Sequence, residues 1–150
     1  MDTLKFTKIA NVKSPQRANP TDAGIDFFIP DDFMETWIKP NGSILIHGGL
    51  KVKVPKGYAL IFFNKSGVAT KKDLVLGACV VDQDYQGELM YNLHNIGNHE
   101  QILKPGDKIV QGVLLPMAYM ETEEIPTVEE LYDGSTSTRG EGGFGSTGVK

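Results

Sequence analysis

The stretch Leu50-Lys51-Val52-Lys53-Val54-Pro55-Lys56-Gly57-Tyr58-Ala59-Leu60-Ile61-Phe62-Phe63 reads as strand, turn, strand. Pro55 and Gly57 set the turn, and the flanking runs are rich in β-branched and aromatic residues. Short runs of the same kind recur on both sides. Leu4 to Ile9 alternates apolar and polar residues as a half-buried strand does, and Ile25-Asp26-Phe27-Phe28-Ile29 is extended until Pro30. Ser43 to Ile46, Gln101 to Leu103 and a long run from Ile109 to Tyr119 follow the same pattern, the last after a Pro105-Gly106 turn. Only Phe33 to Ile38 is ambiguous between a helical turn and an irregular strand. About ten short strands at this spacing make an all-β sandwich, jelly roll or barrel.

Composition agrees. The 150 residues suit a single domain, and 17 Gly with 8 Pro supply its turns. A net charge of −4 argues against a nucleic-acid partner, because phosphate backbones are held by clustered Lys and Arg. No apolar run is long enough to span a membrane, no signal-peptide core follows Met1, and the single Cys79 suits a reducing compartment. The chain is therefore expected to be soluble, intracellular and cytoplasmic. From Asp133 the composition turns to Gly, Ser and Thr around one Arg and one Phe, so residues 1–132 are expected to form the core and 133–150 a flexible C-terminal arm.

The chemistry concentrates in Val80-Val81-Asp82-Gln83-Asp84-Tyr85-Gln86-Gly87-Glu88-Leu89. Leu74-Val75-Leu76 and Leu89-Met90-Tyr91 read as hairpin arms, with Gly87 at a positive φ. Two aspartates and an aromatic between them exceed what reversing the chain requires. Asp82 would face solvent on a rigid support, as a general base must, and Asp84 would form the turn. Lys65-Ser66-Gly67 offers a cation, a hydroxyl and an unhindered N–H where Ser66 caps a short helix. Among Gly106-Asp107-Lys108-Ile109-Val110-Gln111, Asp107 reads as a turn acceptor and Lys108 as a solvated charge, while Gln111 has no evident structural reason. Gly140 to Gly145 matches a dinucleotide fingerprint by spacing alone, without the following helix that motif needs. His47, His94 and His99 lack metal spacing and read as structural or solvated, with His94 on the strand face of Asn92.

In this order the segments resemble the five motifs of the trimeric deoxyuridine triphosphatases (dUTPases). The counterparts are Asp22 to Asp26, Lys65 to Ala69, Gly77 to Glu88, Gly106 to Gln111 and Arg139 to Gly148. The resemblance implies a jelly-roll-like β-barrel, a homotrimer with shared active sites, and Mg²⁺-dependent hydrolysis of dUTP to dUMP and pyrophosphate. It makes Asp82 the base that activates water and Tyr85 the residue on the deoxyribose. Backbone around Ala78, Cys79 and Met90 would read uracil. Ser66, Gly67, Gln111 and Lys65 would hold phosphates, and Asp26 would meet Mg²⁺ through its water shell. On the arm, Phe144 would stack on the base while Arg139, Gly145, Ser146 and Thr147 bind substrate, Arg139 with the two hydroxyls at the γ-phosphate. One departure is Lys65, where the family usually has Arg. A dCTP deaminase of the same superfamily is the nearest alternative, but Asn92 stands where its catalytic Glu would be. A nucleotide-binding regulatory protein on this scaffold is the other.

Overall fold

The structure is a computed structural model and describes residues 3–143. One compact unit runs to Ala118 and a second begins at Tyr119. In the second, a single helical turn, Val128–Leu131, is capped by the Thr127 hydroxyl, which accepts from Glu130 N–H at 3.2 Å. The change in composition at Asp133 falls inside this unit.

The first unit is built of antiparallel strands, as the apolar runs require. A four-stranded sheet places β2 (Ile25–Phe28) beside β11 (Lys108–Pro116), then β6 (Tyr58–Asn64) and β8 (Val80–Val81). A three-stranded sheet joins β4 (Ser43–His47), β9 (Met90–Asn95) and β7 (Leu74–Leu76). Two pairs complete the unit: β1 (Lys5–Lys8) with β5 (Leu50–Lys53), and β3 (Thr36–Ile38) with β10 (Gln101–Leu103). The ambiguous segment before Pro40 is thus a strand, held by pairing Trp37 with Ile102. Helix α1 (Ser66–Lys72) connects β6 to β7. The fold is an all-β, jelly-roll-like one.

The two larger sheets meet through aromatic rings. Phe27 and Phe62 on one sheet and Tyr91 on the other pack edge-to-face, with centroids 5.1, 5.4 and 6.3 Å apart. Each such pair contributes about 0.5–1.5 kcal/mol beyond area burial. Gly112 lets β11 approach them, because a Cβ there would lie 2.8 Å from Leu60 and 2.9 Å from Phe27. The Tyr91 hydroxyl is fully buried and finds no hydrogen-bond partner among the described residues. A buried unsatisfied hydroxyl costs about 1–3 kcal/mol. Tyr91→Phe is therefore expected to leave the midpoint of urea unfolding unchanged or to raise it, and a clear fall would show that the hydroxyl is satisfied.

Two expectations change. Strand β1 is exposed along its whole length rather than half-buried, since among the described residues β5 alone pairs with it. The run through Asp82 is not a tight hairpin. Leu74 to Leu76 do pair with β9, opposite Asn95 to Leu93, but β8 leaves them to pair with β6 in the other sheet. Residues 77–89 therefore bridge the two sheets, and both ends of the segment carrying Asp82 are fixed.

Candidate active site

Asp26 is the buried carboxylate among the described residues, 5% exposed on the four-stranded sheet. Its Oδ1 binds the Lys65 ammonium and its Oδ2 the Lys108 ammonium, the latter at 2.9 Å. Burial pushes the Asp26 carboxyl up, but hydrogen bonds and charge from the two lysines outweigh it and hold the group below the usual carboxylate range. Lys108, expected to be solvated, is thus a partner of the buried acid. The cause is a β-bulge. Gln111 lies opposite Asp26, and strict alternation would put Lys108 on the other face; a register shift between Lys108 and Val110 restores it to the face of Asp26.

Gln111 is held as well. Its Nε2 donates to the Asn64 carbonyl at 2.8 Å, and Gly24 leaves its side chain room, since a Cβ there would fall 2.2 Å from Oε1. Asn64 in turn accepts from Leu76 N–H at 2.8 Å through Oδ1. Lys65 occupies the N-cap position of α1 with no side-chain cap, and Ser66 is the first helical residue rather than the cap. The first N–H groups of α1 therefore have no intrahelical partner. Space beside Gly67 is open to 4 Å. Asp26, Lys65, Lys108 and Gln111 form one cluster, with Ser66 and Gly67 adjoining in sequence, a donor-rich surface suited to an oligophosphate.

Asp82 is exposed, and its carboxylate has no hydrogen-bond or ionic partner among the described residues. Its backbone is anchored. Tyr85 N–H donates to the Asp82 carbonyl at 3.2 Å, and Gly57 N–H donates to Gln83 Oε1 at 2.7 Å. The sequence expectation is that the Asp84 side chain closes this turn, yet the closing bond is that backbone pair, and the Asp84 carboxylate makes no hydrogen bond among the described residues. The Tyr85 hydroxyl donates to the Glu88 carbonyl at 2.8 Å. Gly87 does not take a positive φ; it makes room for the Tyr85 ring, which would have to shift to admit a Cβ 2.3 Å from its hydroxyl oxygen and 2.4 Å from Cζ. Glu88 fixes the far end of the loop by accepting from Gly49 N–H and pairing with His47 Nδ1, each at 2.9 Å. The His47 bond, assisted by Gly49 and opposed by burial, holds Glu88 below its ordinary range.

The backbone around Ala78 and Cys79 is also immobilised. Phe62 N–H donates to the Cys79 carbonyl at 2.8 Å, and Ala78 N–H points at Asn92 Oδ1 at 3.4 Å. A shallow cavity beside it is lined by Phe63, Asn64, Leu76, Gly77 and Cys79. Met90 starts the neighbouring strand, opposite His47. Arg139 donates to the Gly142 carbonyl at 2.7 Å within the second unit, while Phe144, Gly145, Ser146 and Thr147 lie outside the described residues. Sequence reasoning missed Lys108, Asn64, Glu88 and His47. Only Glu88 carried a signal, standing directly after the required Gly87.

Comparison with known proteins places this geometry. Residues 10–148 match the dUTPase family model. A deoxyuridine 5'-triphosphate nucleotidohydrolase of Desulfitobacterium hafniense is 38% identical, with 99% of each chain covered. One from Fowlpox virus is 32% identical over the full length of both. The dUTPase of Staphylococcus bacteriophage 80alpha, solved with dUPNHPP, superposes with a TM-score of 0.85 at 26% identity, covering 99% of this chain and 100% of that one. A match of this extent in sequence and backbone shows that the chain belongs to the dUTPase family.

Proposed function

We propose that this protein is a dUTP diphosphatase, hydrolysing dUTP to dUMP and pyrophosphate. The observation that carries the reading is Asp82, an exposed carboxylate with no partner among the described residues on a loop anchored at both ends. In the step we infer, a water oxygen attacks the α-phosphorus, its proton passes to Asp82, and the bond from the α-phosphorus to the bridging oxygen breaks. The electron pair leaves with pyrophosphate. Lys65, Lys108, Ser66, Gly67 and Gln111 would neutralise and orient the triphosphate, and preorganised donors of this kind stabilise charge as it develops.

Mg²⁺ fits this donor set. Among the described residues no three His, Cys, Asp or Glu side chains are grouped to cage a metal, and Mg²⁺ prefers phosphate oxygens and retained waters. Both Asp26 oxygens are engaged by ammonium groups, so Asp26 would hold the ion through its water shell. When bound, Mg²⁺ supplies charge neutralisation on the phosphate oxygens.

Tyr85 would cover the deoxyribose, and backbone at Ala78, Cys79 and Met90 would read uracil. Residues 133–150 would act as a closing arm, bringing Arg139, Phe144, Gly145, Ser146 and Thr147 to the substrate, in a homotrimer that shares its sites between subunits. The negative net charge favours neither a nucleic-acid nor an acidic-membrane partner. No helix among the described residues is long and apolar enough to cross a membrane. The lone Cys79 suits a reducing cytoplasm.

Incubation with each deoxynucleoside triphosphate tests the reading. Pyrophosphate is expected from dUTP alone; ammonia from dCTP would support the deaminase alternative instead. The role of Tyr85 has its own test. Gly87→Ala drives a methyl into the tyrosine ring, so KM for dUTP is expected to rise roughly tenfold and discrimination against UTP to fall. Unchanged discrimination would remove Tyr85 from the sugar site.

A further inference from the structure

The corner Gly77-Ala78 carries a device that resides in side chains of this chain, Asn92 and His94. An asparagine amide beside a base-reading backbone is a liability, because it can rotate by half a turn and exchange an acceptor for a donor. Here it is held at three points. Asn92 Nδ2 donates to the Ile44 carbonyl at 3.2 Å, which turns Oδ1 toward the corner. His94 Nε2 lies 2.9 Å from that oxygen and Ala78 N–H 3.4 Å from it. With Nδ2 committed to a carbonyl, Oδ1 is the acceptor, so His94 must carry its proton on Nε2 and donate. Gly77 is the space this arrangement needs: a Cβ would fall 2.0 Å from Asn92 Oδ1 and 2.5 Å from His94 Nε2. Gly77 N–H itself donates to the Asn92 carbonyl at 2.9 Å, so the corner and strand β9 are locked together.

We infer that Asn92 and His94 are positioning residues for pyrimidine recognition: His94 fixes the polarity of the Asn92 amide, which fixes Ala78 and hence the backbone edge that distinguishes uracil from cytosine. Uracil offers an N3–H donor and an O4 acceptor, whereas cytosine reverses both. A backbone edge discriminates only while it cannot tilt to suit the other pattern. If the amide rotated, Nδ2 would face both Ala78 N–H and His94 Nε2–H, and the corner would be repelled from β9. The inference rests on the proposed uracil reading at Ala78 and Cys79. Neither side chain is asked to touch the base.

Two substitutions at His94 separate positioning from packing. His94→Leu retains bulk and cannot donate; His94→Gln can place an amide N–H near the position of Nε2. Affinity for dUMP and dCMP by titration calorimetry needs no turnover, and dUTP kinetics run alongside. His94→Leu is expected to raise the dUMP Kd and the dUTP KM about tenfold, to cut the dUMP over dCMP preference by a similar factor, and to leave kcat within about twofold. His94→Gln is expected to restore most of the preference. Should the Leu variant not fold, His94→Thr, smaller and suited to a strand, takes its place. Unchanged preference in the Leu or Thr variant would overturn the inference, as would a loss that Gln fails to rescue. Absence of dUTP turnover in the unaltered protein would instead refute the proposed function, while the dUMP and dCMP titrations still judge the lock.

Discussion

Asp82→Asn is expected to lower kcat for dUTP by about 10²–10⁴-fold, the range general base catalysis supplies. The change keeps the shape of the side chain and removes its capacity to take a proton. Nothing in the described structure depends on the Asp82 carboxylate, so stability should shift by no more than about 0.5 kcal/mol, as for other isolated surface positions. Anchoring of the loop rests on Gln83, Tyr85 and Glu88 instead. Affinity for a non-hydrolysable dUTP analogue should therefore persist. Single-turnover kinetics separate the two effects, and a variant that bound the analogue and still hydrolysed dUTP at the original rate would place the base elsewhere.

Asp26→Asn is expected to damage the fold most. Removing one partner from a buried ionic cluster costs about 3–5 kcal/mol, because the remaining charges stay behind uncompensated. Two ammonium groups would then face each other across a neutral amide. Lys108 is partly exposed, so water screens its share and the lower end of that range is expected. The acid dependence gives an independent check. Asp26 is depressed in the folded state, so its stabilisation is present above the unfolded carboxylate pKa of about 3.9 and is lost as pH falls through the lower folded value. Urea unfolding from pH 7 down to pH 2 should show the unaltered protein losing stability below about pH 4. The Asn variant should lose less over that window. Parallel curves would mean that Asp26 is not depressed, and equal stability at pH 7 would mean that the two lysines are held by other groups.

Much of this is legible in the sequence, and the exceptions have physical causes. Apolar runs broken by Gly and Pro gave the strands away, because a half-buried sheet needs alternation and a turn needs those residues. Asp82 stands out as a carboxylate with no structural duty, and it has no partner among the described residues. The place of Lys108 is not legible, because a bulge is invisible in the string Lys108-Ile109-Val110-Gln111: without it, residues three apart point to opposite faces of a strand. At Gly87 the sequence suggests a backbone reason, whereas the structure shows a tyrosine ring packed against it. Exposure of β1 depends on which strand lies beside it, and sequence alone does not name the neighbour. The Glu88 hub is of the same kind, since His47 and Gly49 approach it from the end of β4 and its connection to β5.

In the proposed reaction, water activated at Asp82 attacks the α-phosphorus. Hydrolysis of dUTP in water enriched in oxygen-18, followed by mass spectrometry of both products, tests it most directly. The label is expected in the phosphate of dUMP and absent from pyrophosphate. Label in pyrophosphate would show attack at the β-phosphorus and overturn the proposed reaction.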